Sequence, residues 1–117
     1  MQNKRSVGAN YERAAGSYLE RLGYEIIEYN FYSRSGEVDI IAKHEGYLVF
    51  VEVKYRKTSS DGYPLEAISP QKQKSICKCA MYYMNRNGLR DMPVRFDAVG
   101  ILGKEFQVVQ NAFDFIL

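Results

Sequence analysis

The sequence contains no tryptophan, one histidine and two cysteines, and it has no apolar run long enough to span a lipid bilayer. Its first residues also lack the hydrophobic segment of a signal peptide. Cys77 and Cys79 lie two positions apart on a predicted helix, about 200° around its axis, so they cannot chelate one ion together. We therefore expect a cytoplasmic protein with reduced cysteines and no membrane partner.

Other common functional patterns are also absent. The chain has no internal repeats, no Gly-rich phosphate loop, and no serine or cysteine nucleophile paired with a base. Its 117 residues suffice for one domain, residues 1–117, but not for two. Apolar content of 46% and charged content of 26% are those of an ordinary globular protein. A net charge of +2 is compatible with nucleic-acid binding but does not require it.

Residues 36–54 carry the most informative pattern, two predicted β-strands joined by a turn at Glu45 and Gly46. If these two residues form the hairpin loop, residues whose numbers sum to 91 face each other. This register separates an apolar face from a charged face, and a slip of one residue would destroy the separation. The apolar face pairs Val38 with Val53, Ile40 with Val51 and Ala42 with Val49, and the other face pairs Glu37 with Lys54, Asp39 with Glu52 and Ile41 with Phe50.

Asp39 and Glu52 stand directly opposite each other in this register. Opposed side chains have Cβ atoms roughly 5 Å apart, and like charges there destabilise a sheet. Mg2+ or Mn2+ would supply the counter-charge, because hard divalent cations prefer carboxylate oxygens. Lys54 projects from the same face, so the groups needed to activate water beside a phosphate are present. The alternative is a surface hairpin with a Glu37–Lys54 ion pair, although residues 48–54 are apolar on both faces, as central strands are.

These residues also carry a resemblance. Asp39, a gap of twelve residues and then Glu52-x-Lys54 resemble the PD-(D/E)xK nuclease signature of the restriction-endonuclease-like fold. The likeness covers nearly the whole chain and implies an α/β fold, a central mixed β-sheet of about five strands flanked by α-helices. Three segments together resemble the YraN family of bacterial proteins, which is similar to archaeal Holliday-junction resolvases: 36–41 (GEVDII), 50–56 (FVEVKYR) and 95–97 (RFD).

The resemblance implies a metal-dependent endonuclease that hydrolyses nucleic-acid phosphodiester bonds, on branched DNA if it acts as a resolvase. Asp39, Glu52 and Lys54 would be catalytic, with Mg2+ or Mn2+ bound by Asp39 and Glu52. Resolvase-like action requires a homodimer, and the apolar residues 113–117 must pack either on the domain or on a second subunit. The alternative function is a non-catalytic nucleic-acid-binding or interaction module that retains the nuclease fold.

Glu12 belongs to a helix predicted over residues 7–22, where apolar residues recur along one stripe. It lies near the edge of that stripe, which suits either a reach into an adjoining site or a boundary contact with a nearby Lys or Arg. Resolvases of this kind carry a metal-associated Glu on the first helix, so the resemblance implies that Glu12 is a further metal ligand. The family usually has Gly before this Glu, whereas this chain has Tyr11.

Two predicted loops carry candidate nucleic-acid contacts. Arg34 lies in the loop 30–36, where it would contact phosphate while Tyr32 stacks on a base or packs in the core. Arg56 lies in the loop 55–64, whose small, polar and Gly/Pro residues predict mobility. This second loop is either a cover over the substrate or a plain connector.

A second helix is predicted from Pro70 to about residue 86, with Ser69 as its N-cap. Lys72 and Gln73 lie in its first turn and face the buried side, which is unusual for polar side chains. We therefore expect both residues to reach the catalytic surface or a phosphate.

The remaining residues predict strands and local contacts. Asp97 shares its strand face with Arg95, and it is either a further site acid or, as we expect, the partner of that arginine or of another nearby cation. His44, at the hairpin tip, is expected to be exposed. The other predicted strands are residues 24–29, 93–102 and 105–109.

Overall fold

The computed structural model describes residues 4–115, apart from the side chains of residues 4–9, 61, 66 and 67. These residues form two α-helices and five β-strands, with two short 3₁₀ turns before the second helix. None of the described helices is long and apolar enough to cross a membrane. The elements in chain order are α1 (Lys4–Arg21), β1 (Glu25–Ser33), β2 (Gly36–His44), β3 (Tyr47–Arg56), the 3₁₀ turns Ser59–Asp61 and Pro64–Ala67, α2 (Pro70–Arg86), β4 (Val94–Leu102) and β5 (Glu105–Phe113).

The five strands form one sheet in the order β1-β2-β3-β4-β5. Neighbouring strands are antiparallel except β3 and β4, which are parallel. A parallel pair needs a crossover connection, and α2 supplies it between the end of β3 and the start of β4. The predicted fold is therefore confirmed: a five-stranded mixed sheet flanked by two helices, consistent with a restriction-endonuclease-like fold.

The two helices cover opposite faces of the sheet. Successive residues of a strand point to opposite faces, so neighbouring residues of β3 pack with different helices. Phe50 of β3 packs in a cluster with α2, whereas Val49 and Val51 pack in a cluster with α1. The α2 cluster includes the buried cysteines Cys77 and Cys79, which are not joined in a disulfide. Burial on both faces explains why β3 is apolar throughout this stretch.

Both ends of α2 lie where the sequence predicts. The hydroxyl of Ser69 accepts a hydrogen bond from the backbone N–H of Lys72 at 3.1 Å, and Pro70 occupies the first turn, where no N–H is needed. Asn87 caps the other end, and Gly88 follows in the left-handed region with φ of 66°.

Two strands outside the β2–β3 hairpin are longer than predicted. β1 continues to Ser33, so most of the predicted loop 30–36 is strand, and Phe31 is buried. The strand passes through Asn30 in a left-handed conformation with φ of 56°, which interrupts the alternation that the prediction used. β5 runs on to Phe113 because its pairing with β4 continues beyond residue 109.

The prediction that His44 is exposed is wrong. Its side chain is 6% exposed, its ring stacks on Tyr24 with centroids 3.9 Å apart, and its Nδ1 lies 2.7 Å from the guanidinium of Arg95. Arg95 also donates to both carboxylate oxygens of Asp97, at 2.9 and 2.8 Å, so the expected pairing of these two residues is confirmed. The side chain of His44 is buried by contacts with residues distant in sequence, which strand alternation does not reveal.

The apolar C-terminal segment packs on the domain as far as it is described. Phe113 is buried, and its ring centroid lies 5.0 Å from that of Phe96. The ring of Phe115 lies 5.5 Å from the same ring. Residues 116 and 117, which belong to the same predicted segment, lie outside the described residues.

Candidate active site

The hairpin between β2 and β3 has the predicted register only in the half next to its turn. Residues whose numbers sum to 91 are paired from the turn as far as Ile40 and Val51. Beyond this pair the ladder ends, and the N–H of Val53 donates to Oδ2 of Asp39 at 2.8 Å. A side-chain carboxylate thus replaces the ladder acceptor. The predicted pairs Val38–Val53, Asp39–Glu52 and Glu37–Lys54 are not part of the ladder.

β2 also changes the direction in which its side chains point. Val38 packs in the α2 cluster with Phe31, and not beside Ile40 in the α1 cluster as predicted. β1 follows the same course, since Tyr29 packs on the α1 side and Phe31 on the α2 side. Asp39 lies between the matched pairs Tyr29–Ile40 and Phe31–Val38. It therefore occupies the point where side chains of both strands switch faces and the β2–β3 ladder ends.

Three carboxylate groups meet at this point. Glu12 of α1, with Glu37 and Asp39 of β2, each place an oxygen within 4.8 Å of the other two. Asp39 is 7% exposed, and the two glutamates are half-buried. The sequence favours Glu37 as a neighbour of Lys54, but the structure places its carboxylate with Glu12 and Asp39, because the predicted Glu37–Lys54 pairing is not formed.

Glu52 adds a fourth carboxylate beside Asp39. Its side chain is 3% exposed, and its Oε2 atom accepts no hydrogen bond from the described residues. The ammonium of Lys72 lies 3.5 Å from this oxygen, close enough for an ion pair but too far for a normal hydrogen bond. Lys72 reaches Glu52 from the first turn of α2, so the structure brings this predicted residue to the carboxylates.

Burial and neighbouring negative charge change the acidity of this group. Burial and the adjacent carboxyl of Glu52 together raise the pKa of Asp39 to about 10, despite the opposing effect of the Val53 N–H. Burial and the charges of Glu37 and Glu52 together raise the pKa of Glu12 to about 7. Without a cation the group therefore retains protons at neutral pH.

The donor set fits a hard divalent cation. Mg2+ and Mn2+ prefer carboxylate oxygens and complete their coordination with water. Glu12, Glu37 and Asp39 have oxygens close enough together to bind one ion jointly. The buried Oε2 of Glu52, which lacks a hydrogen bond within the described part of the chain, offers a further oxygen beside Asp39.

Lys54 follows Glu52 by two residues on β3 and is half-buried. It forms no ion pair with any described residue. Its neighbour in the parallel ladder is Gly100 of β4, where an added Cβ would lie 2.9 Å from the side chain of Leu65. The segment that precedes α2 therefore packs against the sheet directly beside Lys54.

The other predicted nucleic-acid contacts are Arg34, Arg56 and Gln73, which belong to three different parts of the chain. Arg34 is exposed in the turn between β1 and β2. Arg56 is the last residue of β3, so the strand includes the start of the predicted loop, and its buried Nε has no hydrogen-bond partner among the described residues. Gln73 donates from Nε2 to the carbonyl of Ile68 at 3.3 Å, so its amide supports the start of α2.

Sequence reasoning did not identify Asn30 as a site residue. Its side-chain amide reaches the carboxylate of Glu12. The only signal in the sequence is that asparagine tolerates a left-handed backbone better than other non-glycine residues. Because a loop was predicted at this position, a left-handed asparagine within a strand was not expected.

The comparisons with known proteins agree with one another. A model of the uncharacterised protein family UPF0102 matches residues 11–101, a span that contains all four carboxylates. A UPF0102 protein of Lachnoclostridium phytofermentans is 47% identical over 113 residues, which are 96% of this chain and 96% of the relative.

Two further UPF0102 proteins show similar coverage. The one from Alkaliphilus metalliredigens is 44% identical over 112 residues, covering 93% of this chain and 98% of the relative. The one from Geobacter sulfurreducens is 42% identical over 113 residues, covering 92% and 88%. The names of these relatives state no activity.

Proposed function

This chain belongs to the uncharacterised protein family UPF0102, the YraN family, and we propose that it is a metal-dependent nuclease that hydrolyses phosphodiester bonds in nucleic acid. DNA is the expected substrate. The support comes from the site, since membership of the family assigns no activity.

The main support is the meeting of Glu12, Glu37 and Asp39. Carboxylates that are buried together repel one another and lose hydration, so such a group either holds protons or, when ionised, needs a counter-charge. No described lysine or arginine forms an ion pair with any of the three. A divalent cation bound between them would supply the missing positive charge.

The carboxylates would have distinct roles in this site. Glu12, Glu37 and Asp39 would bind Mg2+ or Mn2+, with Asp39 held in place by the N–H of Val53. A bound cation would lower the pKa of a water molecule and offset charge on a phosphate oxygen. Glu52 would support the site from β3, where the ammonium of Lys72 offsets its charge.

The basic residues would act on the substrate. Lys54 has no ion-pair partner among the described residues, so its ammonium is available to orient the attacking water and to offset charge that develops on the phosphate. Arg34 and Arg56 would contact flanking phosphates. Tyr32 is 62% exposed and pairs across the strands with Glu37, which places an exposed ring beside the carboxylates for stacking on a base.

The test is a cleavage screen with Mg2+ and Mn2+ on linear, flapped and four-way DNA and on single-stranded RNA. Asp39→Asn and Lys54→Ala should each reduce cleavage by about 100-fold or more, because each removes a group that stabilises the transition state. Lys78→Ala is the matched control, since Lys78 is an exposed lysine of α2, and it should leave the rate unchanged.

Two outcomes would contradict the proposal. Cleavage by both the Asp39 and the Lys54 variants at the rate of the unsubstituted protein would exclude this site. Alternatively, the protein would be a non-catalytic nucleic-acid-binding module if Mn2+ failed to raise its unfolding temperature while DNA affinity persisted and fell with salt.

A further inference from the structure

We infer that Asn30 is a positioning residue that fixes the carboxylate of Glu12 for metal binding. This role rests on the proposed function, because Glu12 is one of the three carboxylates that would bind the cation. Asn30 itself would not touch the metal or the substrate. Its effect would pass through Glu12 alone.

The contact between the two side chains is bidentate. With its amide nitrogen turned toward Glu12, Asn30 donates to both carboxylate oxygens, at 3.1 Å to Oε1 and 2.6 Å to Oε2. This orientation is assigned from the hydrogen bonding, because the amide oxygen turned toward Glu12 would face only acceptors, whereas the nitrogen donates to both carboxylate oxygens. An amide that donates to both oxygens restrains the rotation of the carboxylate as well as its position.

The backbone of β1 holds Asn30 in place for this contact. Asn30 has φ of 56°, a left-handed conformation that asparagine tolerates better than most residues. Its two neighbours are anchored on opposite sides of the sheet, Tyr29 in the α1 cluster and Phe31 in the α2 cluster. Asn30 therefore has little freedom to move away from Glu12.

α1 is fixed against the same strand. The guanidinium of Arg13 lies 4.0 Å from the centroid of the Tyr29 ring. Gly16 leaves room for the Tyr29 hydroxyl, which an added Cβ would meet. These contacts hold the helix that carries Glu12 against the strand that carries Asn30, so the hydrogen-bonded pair is set by packing on both sides.

The chemistry of the pair suits a metal ligand that is surrounded by other acids. Glu12 shares this point of the structure with the carboxyl groups of Glu37 and Asp39, and the neutral amide of Asn30 holds its carboxylate by hydrogen bonds without bringing a competing positive charge. Residues that orient a metal ligand in this way typically change metal affinity by about 10–100-fold when they are replaced. Asn30 would thus set the affinity of the site for Mg2+ or Mn2+.

The test is an Mn2+ titration of the full-length protein, with free Mn2+ measured by electron paramagnetic resonance. Asn30→Gly removes the amide but permits the left-handed backbone, and it should weaken Mn2+ binding by about 10-fold or more. Asn111→Gly is the matched control, because Asn111 is an exposed asparagine of β5 with φ of 53°. Its affinity for Mn2+ should equal that of the unsubstituted protein.

A double-mutant cycle separates positioning from a general structural effect. In the Glu12→Gln background, Asn30→Gly should cause no further loss of Mn2+ affinity, since its effect passes through Glu12. Equal additional weakening in that background would overturn the inference, as would unaltered binding by Asn30→Gly alone. Failure of the unsubstituted protein to bind Mn2+ would overturn the metal site as well.

Discussion

Asp39 connects the fold of the sheet with the chemistry of the site. It accepts the N–H of Val53 at the place where the β2–β3 ladder ends, and it lies beside the carboxyl groups of Glu12 and Glu52. One oxygen of this side chain therefore takes the place of a backbone carbonyl as the acceptor for the Val53 N–H. Its neighbours make the ionised state costly unless a cation is present.

The titration of these carboxyls predicts how metal binding depends on pH. Without a cation, Glu12 has its pKa raised to about 7 from an ordinary 4.5, so it holds a proton that a bound cation must displace. The pKa of Asp39 is raised to about 10 in the same state. The increase in unfolding temperature caused by Mn2+ should therefore be larger at about pH 8 than at about pH 5.5.

In the metal-free protein, the free energy of unfolding changes with pH in the opposite direction. A carboxyl whose pKa is higher in the folded state binds more protons there than in the unfolded chain, so its contribution to the free energy of unfolding falls as pH rises. For Glu12 this fall spans the interval from about 4.5 to about 7. Glu12→Gln should remove this part of the pH dependence when unfolding is measured in chelator. An unchanged profile would show that Glu12 does not titrate in this range.

At the scale of elements, the first turn of α2 links helix capping to the site. The hydroxyl of Ser69 accepts the backbone N–H of Lys72, and the side chain of Lys72 reaches Glu52. The same turn therefore forms the end of the helix and carries the ammonium that offsets a buried carboxylate. A substitution that destabilises this turn should therefore affect both the start of the helix and the ion pair between Lys72 and Glu52.

Ser69→Ala should lower the free energy of unfolding by about 1 kcal/mol, because the cap of α2 is lost. Urea denaturation measures this change. Ser17→Ala is the control, since Ser17 is an exposed residue inside α1, where alanine is the better helix former. A Ser69→Ala protein as stable as the unsubstituted one would show that Pro70 alone is enough to define the start of the helix.

At the scale of the whole molecule, a buried polar cluster joins several elements near His44, the last residue of β2. The carboxylate of Asp97 accepts from Arg95, from the Tyr24 hydroxyl at 2.6 Å and from the backbone N–H of Asn111 at 3.0 Å. Burial and the adjacent Asp97 raise the pKa of Tyr24 to about 12, so this hydroxyl remains a donor. With His44 against Arg95, the cluster ties the hairpin tip to β4 and β5.

Asp97→Ala should lower the free energy of unfolding by about 3–5 kcal/mol, because it leaves the Arg95 guanidinium buried without its partner. Urea denaturation again measures the loss. Asp91→Ala, at an exposed acid, should change stability little. If the Asp97 variant matched this control, the cluster would be shown to contribute no net stability.

Much of the fold could be predicted from the sequence, because local patterns determine it. Alternation and the Glu45–Gly46 turn gave the register as far as Ile40 and Val51. The residues Ser69 and Pro70 marked the start of α2. In both cases the determining residues are close together in the chain, so their spacing alone carries the information.

The composition of the site needed the tertiary structure. The sequence placed Asp39, Glu52 and Glu12 as candidate ligands, but it did not show that Glu37 would join Glu12 and Asp39 or that Asn30 would contact Glu12. These contacts depend on the break in side-chain alternation that β1 and β2 share and on the packing of α1, which bring together residues far apart in the chain. The sequence by itself determined which residues could bind a cation, and only tertiary packing decided which of them meet.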